Sequence, residues 1–454
     1  MGFDLWSVLP WLGFHVVYRW TRECRIFREL ERSQWWPREK VEEFQWGKLK
    51  RLLRHSYETV PLYMEKFEGV GLRPDGLETY EEFRRLPILT KDEIRDRGDE
   101  LVSAATTKES MKPNETGGST GHPLVFYQDG NFRRHLRAEL LRNYVMAGYK
   151  FGGRVAFLWG SEYDLKDHTS RMDRARDRVT MNIMWIDTFN LMRDEIPKHY
   201  ERLVRFRPQV LVGFRSSLVL FARYAISEGE RGLRPGSVQS SSETLTSTDR
   251  ELMREAFGCD VFNRYGCHEV GNIAHECEAH EGLHVLAENV FLEVLDASGG
   301  PVSPGDAGVV VVTSLNNYGM PFIRYRNEDV VVPSERTCSC GRGLPLIERV
   351  EGRTSDAIVT PAGGILHGET FTRMFSNAGG IHQFQVVQES VDRLEVKIVP
   401  GRDFDPKRTL SFLEKSIHGQ AGEGLKVDFR LCDSIEPSPS GKHRYTISKV
   451  PVEF

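Results

Sequence analysis

Eight residues, Thr116-Gly117-Gly118-Ser119-Thr120-Gly121-His122-Pro123, hold three glycines and three hydroxyls. Glycine lets backbone N–H groups turn toward an anion, and hydroxyls add further donors. A polar run, Lys112 to Glu115, precedes the stretch, and the alternation Leu124-Val125-Phe126-Tyr127 follows it. The reading is a phosphate cradle between two short extended segments. Gly117 to Gly121 also fits G-x-S-x-G, but a nucleophile elbow needs a strand before it and a helix after it. Here the upstream segment is polar and the downstream one reads as a strand. No Gly-Lys-Ser or Gly-Lys-Thr occurs, so a Walker loop is excluded.

A second group of chemically able residues is rich in sulfur and imidazole. His268, His275, Cys277, His280 and His284 fall within one short span, and Cys338-Ser339-Cys340-Gly341 comes later. A C-x-C-Gly knuckle with Cys and His upstream can close a tetrahedral Cys3His zinc site. The plainer reading is a set of reduced, unconnected thiols.

The elements that must position these residues alternate. Helical spacing covers 41–57, with Val60-Pro61 ending it, and short capped helices are predicted from Thr79 and Thr90. Phe132 to Met146 reads as a helix with Leu136, Leu140, Leu141 and Tyr144 inward. Arg154 to Gly160 reads as a strand, Ile196 to Phe206 as a helix, Pro208 to Phe214 as a strand and Ser217 to Ser227 as a helix. Such alternation predicts a mostly parallel sheet with helices on both faces, which gathers ligands at the carboxyl ends of its strands. A helix from Ser247 and a strand from Cys259 to Arg264 lead into Tyr265-Gly266-Cys267-His268-Glu269. Short strands and tight turns fill 290–332.

Composition bounds the rest. The chain has 454 residues, 28% charged and 39% hydrophobic, with a net charge of -4. That is a soluble globular balance in more than one domain, and it does not suggest a nucleic-acid binder. Seven cysteines in such a length are no disulfide scaffold, and they favour a reducing compartment, the cytoplasm. The N-terminal stretch has Asp4 and no basic leader, so a secretory signal is not expected. It reads as a packing arm. The alternative is an arm that touches a membrane surface or a protein through Trp6, Trp11 and Phe14.

The loop resembles the phosphate-binding loop of adenylate-forming enzymes, Ser/Thr-Ser/Gly-Gly-Ser/Thr-Thr-Gly-Lys-Pro, with His122 at the usual lysine. The nearest likeness is to the phenylacetate–CoA ligase family, including members associated with surface polysaccharides. Leu86-Pro87-Ile88-Leu89-Thr90-Lys91 resembles the segment that leads into its loop. Ser242-Glu243 followed by Tyr265-Gly266-x-x-Glu269 resembles its adenine-side pair of motifs. Pro321-Phe322-Ile323-Arg324-Tyr325-Arg326-Asn327-Glu328-Asp329 is similar to P-x-I-R-Y-R-T-G-D. Gly441-Lys442-His443-Arg444 resembles its terminal Gly-Lys.

The resemblance implies ATP and Mg²⁺. Thr116 to Gly121 would hold phosphates, with Thr120 also catalytic, and Tyr265 would stack on the purine. Glu269 would hold Mg²⁺, and Asp329 would accept from the ribose hydroxyls. Lys442 would offset charge at the α-phosphate. Glu351-Gly352-Arg353 would open the hinge, with Arg353 also binding the nucleotide and Ser355 where the family keeps its aspartate. Cys277, His284, Cys338 and Cys340 match a zinc-binding subset, with His280 the next choice of histidine and Cys267 a poorer thiol.

The resemblance therefore implies an α/β adenylate-forming fold. Residues 1–40 would be an arm, 41–352 a large domain of mostly parallel sheets with a β subdomain, and 353–454 a small mobile α+β domain. A small-molecule carboxylate would be activated as an acyl-adenylate and passed to coenzyme A. The runner-up acceptor is an amine of a sugar or amino acid. A third reading is a non-catalytic scaffold, favoured by His122 and Ser355. A homodimer is left open.

Overall fold

The structure, a computed structural model, describes residues 21–115, 124–159, 182–188, 195–353, 358–361, 365–366, 368–422, 424–436 and 444–450. Thr21 caps helix α1 (Arg22–Ser33) by accepting from the Cys24 N–H at 3.2 Å. Phe27 and Leu30 of α1 bury against Ala138 of the large domain. Helix α2 (Arg38–Thr59) turns Val41, Leu49, Leu52 and Leu53 inward. Val60 ends it in extended geometry, yet Pro61 opens α3 (Pro61–Gly69) at once. Proline is at ease in a first turn, where its missing N–H would lack a partner anyway. The Val60-Pro61 break is thus a corner between two helices.

A capping box of Thr79 and Glu82 starts α4 (Tyr80–Arg84), and Thr90 caps α5 (Lys91–Arg97). Strands β1 (Lys112–Glu115) and β2 (Val125–Gln128) pair antiparallel, with Glu115 opposite Val125. Helix α6 (Gly130–Met146) follows under an Asp129 cap. It buries Phe132, Ala138 and Tyr144 but also Glu139, Arg142 and Asn143, while Leu136, Leu140 and Leu141 are only half-buried. The reason is a buried ion pair. Arg142, fully enclosed, donates to Glu288 at 2.7 and 3.2 Å, and Ser33 of α1 donates to the same carboxylate at 2.6 Å. A buried charge persists only when paired in this way.

The main sheet then assembles. Its first strands and helices are β3 (Val155–Trp159), β4 (Ile183–Asp187), α7 (Ile196–Phe206), β5 (Val210–Phe214), α8 (Arg215–Ser227), β6 (Ser237–Ser241), α9 (Ser247–Phe257) and β7 (Asp260–Cys267). Its later strands are β8 (Gly271–Glu276), β9 (Leu283–Val285), β10 (Val290–Leu295), β11 (Gly308–Ser314), β12 (Tyr325–Ser334) and β13 (Leu346–Arg353). The order is β10-β11-β12-β13-β9-β8-β7-β6-β5-β3-β4. From β4 to β7 the pairs are parallel; from β7 to β10 they are antiparallel.

The region expected as a β subdomain therefore continues the parallel sheet. The β7–β8 hairpin pairs along the outer edge of β7 and carries the sheet onward. Helices α7 to α9 cover one face with Leu203, Phe206, Leu218, Phe221 and Phe257, and Tyr144 joins Phe157, Trp159 and Phe214 on the other.

The small domain comprises β14 (Ile358–Val359), β15 (Ile365–Leu366), α10 (Gly368–Ala378), β16 (Ile381–Ser390), β17 (Arg393–Pro400), α11 (Pro406–Ala421), β18 (Lys426–Leu431) and β19 (Thr446–Ser448). Its four-stranded sheet runs β18-β17-β16-β19. Phe371, Phe375, Leu413 and Ile417 from the two helices close its core over Phe384 and Val396.

Candidate active site and metal centre

Two of the sequence motifs meet at the start of β12. Leu89 makes an isolated parallel bridge to Tyr325, with Leu89 N donating to Arg324 O at 2.9 Å and Arg326 N to Leu89 O at 3.0 Å. Arg324 is buried, bonded to Glu293 at 3.0 and 3.1 Å and to the carbonyls of Arg84 and Leu86. This arginine fixes the backbone that presents Tyr325 to Asp329. Glu328 has φ of 69°, the left-handed region that favours glycine, at the position where the resembling pattern has glycine.

The side chains around β12 form a polar triad and two polar pairs. Tyr265 OH donates to Asp329 Oδ2 at 2.8 Å. Asn327 Nδ2 donates to Tyr265 OH at 3.0 Å and to Asp329 Oδ2 at 2.8 Å, and Asp329 N donates to Asn327 Oδ1 at 3.0 Å. Tyr325 OH donates to Glu269 Oε1 at 2.7 Å, and Lys91 Nζ reaches Glu328 at 2.5 Å. Tyr265 and Asp329, 64 positions apart, thus bond directly, and Glu269, four residues after Tyr265, joins β12 through Tyr325. Asn327 and Lys91 were not singled out as site residues. Their signal was position alone, inside two motifs read for other members.

Electrostatics follow the burial. Burial by itself would raise the Glu269 carboxyl, but the Tyr325 hydroxyl, the Lys91 ammonium, an N–H bond and His268 together hold it below the usual carboxylate range. The Cys267 thiol is pushed well up by burial, then by Glu269 and Asp329. Gly266 has a steric reason. A Cβ there would lie 2.4 Å from Gly271 O and 2.9 Å from the Asn272 Cα, in the backbone of β8.

Three other expected residues have defined places. Ser242 takes a φ of 69° just past the carboxyl end of β6. The Glu243 carboxylate is engaged by the N-terminus of α8, accepting from Ser216 N at 2.7 Å and Ser216 Oγ at 2.9 Å. The backbone of Arg353 pairs opposite Asp329. Thr116, Gly117, Gly118, Ser119, Thr120, Gly121 and Lys442 lie outside the described residues, as do Trp6, Trp11, Phe14, His122, Ser355 and the side chain of Arg353. The strands that flank the glycine loop are anchored beside Glu269: Gln128 Nε2 of β2 donates to the His268 carbonyl at 3.1 Å.

At the opposite end of the same strands, Cys277, His284, Cys338 and Cys340 converge, their donor atoms all within 4.8 Å of one another. Cys277 Sγ lies 3.6 Å from Cys338 Sγ, and Cys340 Sγ lies 3.3 Å from His284 Nε2. Tetrahedral zinc with Zn–S of about 2.3 Å spaces sulfurs by about 3.8 Å, so this separation fits. Burial, then Arg342, lowers the His284 imidazole to about 4, leaving it neutral as a ligand must be. His280 instead faces Glu276 at 3.3 Å. The knuckle also grips the end of α1: Arg342 Nε donates to Gln34 Oε1 at 2.9 Å and Gly343 N to Gln34 O at 3.0 Å.

Comparison with known proteins now bears on this geometry. Residues 358–449 match the CapK C-terminal domain family. The chain is 25% identical over 408 residues to a phenylacetate-coenzyme A ligase of Thermus thermophilus, covering 87% of this chain and 88% of that one. It is 25% identical over 378 residues to protein CapK of Staphylococcus aureus, covering 82% and 81%. A 2-hydroxyisobutyryl-CoA ligase, solved in the postadenylation state with 2-HIB-AMP, superposes with a TM-score of 0.76 at 18% identity, over 92% of each chain. The fold is that of the adenylate-forming ligases, and the chain is phenylacetate–CoA ligase-like. Among the described residues, no helix is long and apolar enough to cross a membrane.

Proposed function

We propose that this phenylacetate–CoA ligase-like chain activates a carboxylic acid with ATP and passes the acyl group to coenzyme A. The observation that carries the reading is the meeting of Asp329, Tyr265 and Glu269 at the end of β7 and the start of β12, beside the base of the glycine loop. The carboxylate oxygen attacks the α-phosphorus and pyrophosphate leaves. The thiol then attacks the acyl carbon and AMP leaves. Neither step needs a covalent bond to the protein, so the protein positions groups and offsets charge.

Each residue has a role in that scheme. Asp329 accepts from the ribose hydroxyls, and Tyr265, held by Asp329 and Asn327, borders the base. Glu269, kept ionised, holds the Mg²⁺ that comes with the nucleotide. The loop from Thr116 to Gly121 takes the phosphates, and Lys442 stabilises the α-phosphate during the first step. Cys277, His284, Cys338 and Cys340 hold a structural zinc. With all four positions filled by protein it has no open site for Lewis-acid chemistry. A reducing cytoplasm suits seven cysteines that are all unbridged.

One observation favours a second acceptor. The small domain matches the CapK C-terminal family, and protein CapK matches most of the chain. An amine of a polysaccharide precursor would then replace the thiol. Pyrophosphate release screened over carboxylic acids, with coenzyme A or an amine added afterward, separates the two. Acid-dependent release is expected, with AMP turnover only when the true acceptor is present. No release with any acid would overturn the reading in favour of a scaffold. Lys442→Ala should slow adenylate formation by about 10²-fold or more, the cost of one lost transition-state stabiliser. The same variant should still convert a prepared acyl-adenylate at near the parent rate.

A further inference from the structure

Arg215 is the first residue of α8, at the carboxyl end of β5, and only 3% of it is exposed. Large-domain acids hold its guanidinium: Asp249 Oδ2 accepts from Nη1 at 2.9 Å, and Glu243 Oε2 lies 3.5 Å from Nε. The same Nη1 donates to the hydroxyl of Tyr445 at 2.9 Å, and the guanidinium carbon sits 4.5 Å from the Tyr445 ring centre. Tyr445 belongs to the small domain, where its ring leans on Phe384 at 4.8 Å and its carbonyl accepts from Val386 N at 2.8 Å. A second contact runs alongside, from Arg223 of α8 to the His382 carbonyl at 3.2 Å.

A buried guanidinium fixed by two carboxylates is a rigid donor. A tyrosine fixed by its own sheet is a rigid acceptor. Where two rigid partners from different domains meet, the bond between them sets a domain orientation. Tyr445 is also three residues past Lys442 in sequence, so fixing one restricts where the other can be presented.

We propose that Arg215 and Tyr445 form a polar latch, which holds the small domain over the carboxyl ends of the parallel strands for adenylate formation and must open for acyl transfer. This rests on the two-step reading above. Both residues are positioning residues, because they act through the placement of the small domain and touch no reacting atom.

The test is Tyr445→Phe, which deletes the hydroxyl and keeps the ring. Adenylate formation is followed by pyrophosphate exchange, and acyl transfer by supplying prepared acyl-adenylate and coenzyme A. The variant should lose about 10-fold in the first step, the scale of one hydrogen bond to a charged group, and nothing in the second. Equal loss in both steps, or none in either, would overturn the latch. Small-angle X-ray scattering of the nucleotide-free chain adds a readout independent of activity. Tyr445→Phe should widen its maximum dimension relative to the parent, and unchanged scattering counts against the latch. If the parent makes no adenylate with any acid, the two-step reading fails while scattering still decides the domain contact. Arg215→Gln also leaves Glu243 and Asp249 unpaired, so its loss in the first step should be the larger, and adding Tyr445→Phe to it should add nothing. Additive losses would show two unrelated defects.

Discussion

The strands β7, β8 and β12 carry two polar clusters, one at each end, built on opposite logic. At the end proposed for the nucleotide, Tyr265, Asn327 and Asp329 bond one another and Tyr325 bonds Glu269, over 2.7–3.0 Å. At the other end, Cys277, His284, Cys338 and Cys340 gather soft donors about one point. The first cluster is complete as it stands, and a ligand has only to exchange partners with it. In the second, burial pushes the Cys277 thiol up and the Cys338 thiol up to about 12, while at Cys340 burial is outweighed by bonds from Arg342 and the neighbouring thiols, which lower it. A cation reverses the effect of burial and converts crowding into bonds. The metal end should therefore govern stability, and the nucleotide end should govern affinity.

The largest expected effect tests the first half of that contrast. Metal analysis of the parent should find about one zinc per chain, and Cys338→Ser or prolonged chelation should remove it. The melting temperature should fall by at least about 5 °C, since a structural site contributes folding energy directly. Below the new transition, ATP affinity should stay within about twofold of the parent, because a site at the far strand end adds no contact to the ligand. A metal-free parent of full stability would break the contrast.

Gly266→Ala strikes the strand pair between the two ends. The new methyl would meet backbone of β8 at 2.4 and 2.9 Å, so the pair must shift. Overpacking of this kind costs about 1–3 kcal/mol. Stability and ATP affinity should both fall while zinc content stays at one per chain by metal analysis. A loss confined to affinity would mean the glycine serves the ligand alone.

Asp329→Ala probes the nucleotide end directly. ATP binding measured by calorimetry should weaken by about 1.5–3 kcal/mol, the scale of bonds involving a charged group. Zinc should be retained, and the melting temperature should fall less than in Cys338→Ser. A loss of stability as large as that of the cysteine variant would erase the distinction between the ends.

Which residues would lie together at each end was readable because each motif keeps its spacing on regular strands; the roles proposed for them rest on the resemblance. Cys277 and His284 sit on a hairpin, and Cys338 and Cys340 sit on the next turn over, so order along the chain translated into proximity. Strand β6 was hidden because its sequence, Ser237 to Ser241, is polar although every residue is buried. Two of its polar side chains are answered from other segments: Gln239 Nε2 donates to Asn143 O at 2.8 Å, and Ser241 Oγ accepts from Arg264 Nε at 3.2 Å. Helix α6 misled in the same manner, since periodicity cannot foresee that Arg142 will be neutralised by Glu288, 146 positions away. Continuity of the sheet through β7 depends on edge pairing, which leaves no mark in hydrophobic alternation. Arg215 was invisible because its oxygen partners lie far along the chain, Glu243 and Asp249 in one segment and Tyr445 in another.

The smallest expected effect is also the sharpest for the nucleotide end. The Tyr265 hydroxyl donates to Asp329 and accepts from Asn327, while its ring borders the base in the proposed complex. Tyr265→Phe separates these functions, because the ring stays and only the hydroxyl goes. Asp329 keeps its bonds with Asn327, so it should remain in place with one acceptor site newly vacant. If the hydroxyl serves to orient the carboxylate, ATP affinity should drop by about 0.5–1.5 kcal/mol, a neutral hydrogen bond's contribution. The effect should vanish with 2′,3′-dideoxy-ATP, which offers the carboxylate no ribose hydroxyl, while an adenine-stacking role would persist with either nucleotide. A larger loss for Tyr265→Phe than for Asp329→Ala would invert the order of roles, making the tyrosine the principal contact and the aspartate its support.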